Sequence, residues 1–187
     1  MPELGKKAAE FSLIDCCSNN YDLNSIAQGK AFLVMFICNH CPFVLHIAHE
    51  FDNIATKLKQ MNINTVAINS NDSQQYPEDD FSKMKAFKQK YKFSFPYLHD
   101  ESQEIAKKYM AACTPDFFLF DKDKKLYYRG QMDESRPCNN KETDAKELLA
   151  AAQRLHDSLP SPQIQKPSLG CNIKWKPELA PDYFLKS

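Results

Sequence analysis

A chain of 187 residues is long enough to bury one real core with an extra element or tail to spare. Its 24 basic and 24 acidic residues balance, and only Arg129, Arg136 and Arg154 are arginines, so nothing in the charge points to nucleic acid or an anionic membrane. Composition is that of a folded globular protein, 43% hydrophobic and 26% charged; MPELGKKAAEF carries no apolar leader and no run approaches membrane-span length, so a cytoplasmic protein is expected.

Taken in chain order, residues 10–14 alternate polar and apolar and predict a strand, with a turn at 18–20 and a return at 21–23. Residues 31–37, AFLVMFI, form an unbroken apolar run, the mark of a strand covered on both faces. From Pro42 the pattern becomes helical: Val44, Ile47, Ala48, Phe51, Ile54, Ala55 and Leu58 share one face down to about Met61. INTVAIN at 63–69 is the next buried strand, so strand, helix and strand make one right-handed crossover unit. A polar loop at 70–75 leads to a helix entry at 76–80 with acidic residues in its first turn, and Phe81, Met84, Phe87 and Tyr91 give the helix face. A short extended piece at 95–98 and a helix at 102–110 follow. Residues 116–120 and 126–129 read as a β-hairpin with a charged tip, and 143–159 as a closing helix. The tail from Pro160 holds five prolines but also Ile164, Leu169, Ile173, Trp175, Tyr183 and Phe184, too apolar for a solvated tail. The expected organisation is a domain at 1–159 with an extended segment, 160–187, lying across it. The order β-α-β, insertion, hairpin, helix is the thioredoxin arrangement, an α/β fold here carrying an N-terminal hairpin and a long irregular C-terminal segment.

Cysteine chemistry concentrates at one place. Seven cysteines occupy positions 16, 17, 38, 41, 113, 138 and 171. In a reducing compartment these are free thiols, and their odd number argues against a complete structural disulfide framework. Cys38-Asn39-His40-Cys41 falls at the carboxyl end of the first buried strand, where a helix begins, the edge at which open α/β sheets place their sites. Helix N–H groups and the helix dipole there stabilise a thiolate. Cys38 is expected to be the exposed attacking thiolate and Cys41 the shielded thiol that resolves the mixed disulfide. A protonated His40 would favour the thiolate further and make the pair easier to reduce. A zinc site from Cys38, Cys41, His46 and His49 is disfavoured by geometry: along an unbroken helix His49 lies roughly 12 Å from Cys41. His46 and His49 read as surface histidines. The second informative spot is Ala112-Cys113-Thr114-Pro115-Asp116, where a proline just before a central strand suggests a cis bond at Pro115.

The segments FxL-D at 11–15, FICNHCPFV at 36–44, AINSND at 67–72, YPEDDF at 76–81, FPYLHDESQEIAKKY at 95–109, ACTPDFFLFD at 112–121, LYYRGQMDESRP at 126–137 and GCNIKWK at 170–176 together resemble the peroxiredoxin-like, AhpC/TSA-type redoxin branch of the thioredoxin superfamily. The resemblance covers nearly the whole chain. It implies a thioredoxin fold and thiol-disulfide exchange through the Cys38/Cys41 dithiol, with Asn39, His40, Pro42, Thr114 and Pro115 in support and no organic cofactor or metal. It implies disulfide or thiol substrates and a thioredoxin- or glutathione-type reductant. It also supplies a rival, since peroxiredoxins carry Thr-x-x-Cys-Pro and Cys38-x-x-Cys41-Pro42 keeps that frame. Cys41 would then attack peroxide, with Cys38, Cys113 or Cys171 resolving the sulfenic acid. The orienting threonine is absent, however, and Thr114-Pro115 stands where an arginine is expected; Arg129 would serve only by folding back to the site. A third possibility is a binding module whose dithiol is vestigial or loads zinc. Cys113, beside Thr114, is a candidate third redox thiol, with Cys171 a remoter one; Cys16, Cys17 and Cys138 read as small buried or surface residues.

Overall fold

The computed structural model describes residues 2–185. Strands β1 (Ser12–Asp15) and β2 (Asn20–Asp22) form the N-terminal hairpin, and a one-turn helix α1 (Leu23–Ile26) leads to β3 (Ala31–Phe36). After α2 (Pro42–Ile47) and α3 (Phe51–Gln60) come β4 (Ile63–Asn69), α4 (Phe81–Lys90), β5 (Tyr97–His99) and α5 (Glu104–Tyr109). The chain continues through the short β6 (Cys113–Thr114), the hairpin β7 (Asp116–Asp121) and β8 (Leu126–Gly130), and α6 (Lys146–His156). Beyond it lie the two-residue β9 (Cys171–Asn172) and the last turn α7 (Asp182–Leu185).

Seven strands make one sheet in the order β2-β1-β5-β4-β3-β7-β8. β3 pairs parallel with β4 and antiparallel with β7. Because side chains alternate across a strand, the six buried residues of β3 serve two cores. Leu33 and Met35 pack under α2, α3 and α6 with Phe51, Leu58 and Leu148. Phe32, Val34 and Phe36 pack on the other face with Leu23, Ile105, Tyr109 and Ile173. This two-faced burial is why AFLVMF tolerates no polar residue, and it fixes where the strand ends: the chain turns polar at Asn39, at the sheet's carboxyl edge.

Three expected elements come out differently. The helix expected from Pro42 to Met61 is interrupted by a tighter 3-10 turn at Ala48–Glu50. Ile47, Ala48 and Phe51 stay buried across the break, so one apolar face is kept and no packing is lost. The closing helix starts at Lys146 rather than 143, because Asp133 Oδ2 accepts from the amides of Asp144 (3.1 Å) and Ala145 (2.9 Å) and holds them out of the helix. The acidic entry before α4 is divided. Asp80 caps that helix, accepting from the Lys83 amide at 2.7 Å, while Asp79 turns inward and is 0% exposed. Among the described residues no helix is long and apolar enough to cross a membrane.

Leu33→Ala, which empties a fully buried position of the central strand, is expected to cost about 3 kcal/mol in denaturant unfolding. Asp80→Ala, which removes the side-chain cap of α4, is expected to lower the unfolding midpoint by less than Leu33→Ala does.

Candidate redox site

β3 delivers Ile37 and Cys38 to the edge of the sheet, and Cys41 is the residue on which α2 starts, with Pro42 in its first turn. Proline suits that position because its missing N–H has no helical partner to lose. The Thr114–Pro115 peptide bond is cis, as the sequence suggested. Thr114 meets both sulfurs. Its hydroxyl lies 3.2 Å from Cys38 Sγ, and its carbonyl oxygen accepts from the Cys41 thiol at 3.1 Å. All seven cysteines are free thiols.

The C-terminal segment completes the site. β9 pairs antiparallel with β6, placing Cys171 opposite Thr114. Gly170 runs so close to the Thr114 carbonyl that a Cβ there would overlap it. This close approach sets the Cys171 thiol and backbone N–H against Cys41.

These surroundings separate the two thiols. Cys41 is held down to about 4, first by the Cys38 thiol as hydrogen-bond donor, then by the Cys171 thiol and the backbone N–H groups of Val44 and Cys171, against an opposing cost of burial. Cys38 is pushed well above the ordinary thiol range by donating to Cys41, by burial and by the nearby Asp79 charge. These directions favour Cys41, on which α2 starts and around which the donors gather, over the expected Cys38 as the sulfur that gives up its proton first. Nor is Cys38 exposed. Cys38 and Cys41 are 1% and 0% accessible, closed over by the Thr114 loop and β9.

A buried polar network holds the loop between them. Asp79 Oδ1 accepts from the Asn39 amide (2.7 Å) and from Asn69 Nδ2 (3.1 Å), and Oδ2 from Asn71 Nδ2 (2.7 Å). Tyr97 donates its hydroxyl to Asn39 Oδ1 at 2.9 Å. His40 stacks on Tyr76 and points Nδ1 to Asp79 Oδ2, 2.9 Å away. It thus faces a carboxylate beside Cys38 instead of the Cys41 thiolate. Cys38, His40 and Asp79 place ligand-type atoms within 4.8 Å of one another, a metal-capable group among the described residues, although three donors already occupy the Asp79 oxygens. Asp79, Asn69, Asn71 and Tyr97 were not singled out from the sequence. The available signal was polarity: AINSND ends on four polar residues, all of them buried, and YPEDD offers more acids than a cap requires.

Other candidates fall elsewhere. Cys113 donates to the Pro115 carbonyl at 3.7 Å and is pushed well up by burial, so it is a protonated neighbour, whereas Cys171, the remoter candidate, is the one against Cys41. The strand alternation explains the exchange, since Cys113 and Thr114 point to opposite sides of β6. Arg129 is held by Gln165 Oε1 at 3.0 Å and does not fold back to the sulfurs. His46 bonds Ser135 at 2.7 Å, and His49 is an exposed residue beside Glu50. Cys16 is buried, while Cys17 and Cys138 are exposed.

Strand order and the placement of this site at the carboxyl edge of β3 define a thioredoxin-like fold. The chain belongs to the AhpC/TSA family, whose sequence pattern matches residues 4–129. An uncharacterized conserved protein from Geobacillus kaustophilus is 47% identical over 95% of each chain, with a TM-score of 0.93. Peroxidoxin BcpB from Mycobacterium tuberculosis shares the fold at 16% identity, covering 86% of this chain and 100% of its own (TM-score 0.65). A secreted M. tuberculosis disulfide oxidoreductase homologous to E. coli DsbE shares it at 20% identity, covering 79% and 95% (TM-score 0.60). Among curated proteins none matches this chain.

Asp116, next to Pro115, is buried and accepts from Ser168 Oγ at 2.6 Å; burial raises its carboxyl to about 7. A raised carboxyl contributes stability that is complete below its unfolded value, near pH 4, and is lost as pH climbs through about 7. The denaturation midpoint is therefore expected to fall between about pH 4 and 7 in the native chain and to level off above that. In Asp116→Asn that slope should flatten.

Proposed function

We propose that this protein is a thiol-disulfide oxidoreductase working through Cys38 and Cys41. The observation that carries the reading is geometric: two free thiols meet where α2 starts, with the Thr114 hydroxyl 3.2 Å from Cys38 Sγ and the Thr114 carbonyl 3.1 Å from Cys41 Sγ. Cys41 attacks one sulfur of a disulfide R–S–S–R′, forming Cys41–S–S–R and expelling R′–S⁻. The Cys41 negative charge is then gone, and with it the main force holding the proton on Cys38. Cys38 passes its proton to the departing thiolate and attacks Cys41 Sγ, closing the Cys38–Cys41 disulfide and releasing R–SH. The Thr114 hydroxyl lies within hydrogen-bond reach of Cys38 Sγ, and the Thr114 carbonyl accepts from Cys41 only while that sulfur carries its proton. Asp79, by gripping the Asn39 amide, keeps the loop in the shape that brings the pair together. A thioredoxin- or glutathione-type thiol would return the electrons, as fits a cytoplasmic setting.

Peroxide reduction is a second reading, favoured by the burial of both sulfurs, which a molecule the size of hydrogen peroxide passes more easily than a protein disulfide. Against it, the arginines nearest in sequence are engaged elsewhere: Arg129 with Gln165, and Arg136 with the carbonyls of Asp133 and Ser135.

Dithiodipyridine provides the test. In a Cys38→Ser/Cys171→Ser variant, which removes the two thiols set against Cys41, the pyridylthio adduct should accumulate on Cys41, as read by peptide mass mapping. An adduct formed instead on Cys38 in Cys41→Ser/Cys171→Ser, with Cys41 inert, would remove the assignment. In the native chain the initial rate of Cys41 modification should fall as pH drops through about 4, and in the Cys38→Ser/Cys171→Ser variant that fall should move to higher pH. Consumption of hydrogen peroxide much faster than by a free low-molecular-weight thiolate would turn the choice toward the second reading.

A further inference from the structure

The Cys38–Cys41 pair is buried, and a third, partly exposed sulfur packs against the same cluster. Cys171 is half-buried where Cys38 and Cys41 are 1% and 0% exposed. It packs against the core cluster that contains both of them. Its position is fixed by backbone: Cys171 pairs with Thr114, whose carbonyl is the one Cys41 contacts at 3.1 Å. Gly170, with no side chain, lets that strand close on the Thr114 carbonyl. A structural strand needs no thiol at that position, and a two-cysteine exchange cycle does not use one.

We propose that Cys171 is a third redox-active thiol, the port through which a low-molecular-weight thiol reduces the buried Cys38–Cys41 disulfide. The inference rests on the Cys38–Cys41 reading. In the first step the Cys171 sulfur attacks Cys41 Sγ. The Cys41–Cys171 bond forms as the Cys38–Cys41 bond breaks, and the proton lost by Cys171 ends on Cys38, so no electrons enter or leave. Next the external thiol RSH attacks Cys171 Sγ, giving Cys171–S–S–R and expelling Cys41. A second RSH attacks that mixed disulfide, regenerating the Cys171 thiol and releasing RSSR. Two RSH are oxidised and one protein disulfide is reduced. The leaving group favours the second step, while the first expels Cys38 and is driven by the proton that Cys171 hands to it. Attack on Cys171 expels Cys41, the sulfur whose anion the site stabilises best, and low-pKa thiols leave fastest. Direct attack on the Cys38–Cys41 bond requires RSH to enter a closed site.

Two measurements test it, with glutathione as RSH. In Cys38→Ser, where β9 is untouched, dithiodipyridine should yield a Cys41–Cys171 disulfide in place of the Cys41 adduct that persists in Cys38→Ser/Cys171→Ser. In chain oxidised to the Cys38–Cys41 disulfide, Cys171→Ser, which keeps a hydrogen-bond donor in place, should slow reduction by glutathione at least tenfold. A persistent Cys41 adduct in Cys38→Ser, together with an unchanged glutathione rate in Cys171→Ser, overturns the relay and leaves the dithiol intact. Failure of the Cys38–Cys41 disulfide to form on oxidation overturns the relay and the dithiol reading together.

Discussion

The Cys41 sulfur lies where three separately built pieces of backbone meet: the start of α2, the carbonyl of Thr114 and the strand β9. A thiolate in a protein interior needs donors to replace the water it has lost. Here they come from the Val44 and Cys171 amides and from two neighbouring thiols. Each donor belongs to a different part of the chain, so the chemistry depends on the whole tertiary structure being in register. A shift of β9 by one residue would remove the Cys171 amide and thiol at once, because alternate residues face opposite sides.

Burial and reactivity pull against each other at this site. Closing the sulfurs off strengthens every hydrogen bond to the anion, but it also withholds the anion from a partner. β9 is a natural place for the site to open. It is two residues long, paired only with β6, and followed by an irregular segment, whereas β3 and β4 are joined across six register positions. Elements with few backbone hydrogen bonds open at the low end of the stability range. The strand beside the buried pair is thus one of the two shortest among the described residues, joined to the other, β6, by a two-residue ladder.

The Asp79 network answers a different need. A CxxC loop that leaves a buried strand must turn sharply while its amides are away from water, and each unpaired amide there would cost 1–3 kcal/mol, roughly. Asp79 accepts the Asn39 amide, and Asn69 and Asn71 hold Asp79 in turn. The same carboxylate raises Cys38, which keeps the proton on the sulfur that must stay a donor until Cys41 has reacted. One buried acid therefore shapes the loop and biases the pair.

Sequence alone determined whatever is local or periodic. AFLVMFI and INTVAIN read as strands buried on both faces, the repeat after Pro42 as a helical face under the sheet, and Cys38–Cys41 at their junction as a candidate site at the sheet edge. Thr114-Pro115 was readable because proline before a central strand forfeits a ladder hydrogen bond. What the sequence left open was anything set by residues far apart. Which cysteine becomes the thiolate depends on donors 3 and 130 positions away from Cys41, at Val44 and Cys171. Whether Asp79 or Asp80 caps α4 depends on which of them reaches Asn39, 40 residues earlier. Periodicity reports which face of an element is buried. Only the assembled structure decides what that face is buried against, and a sulfur's charge is decided by its neighbours.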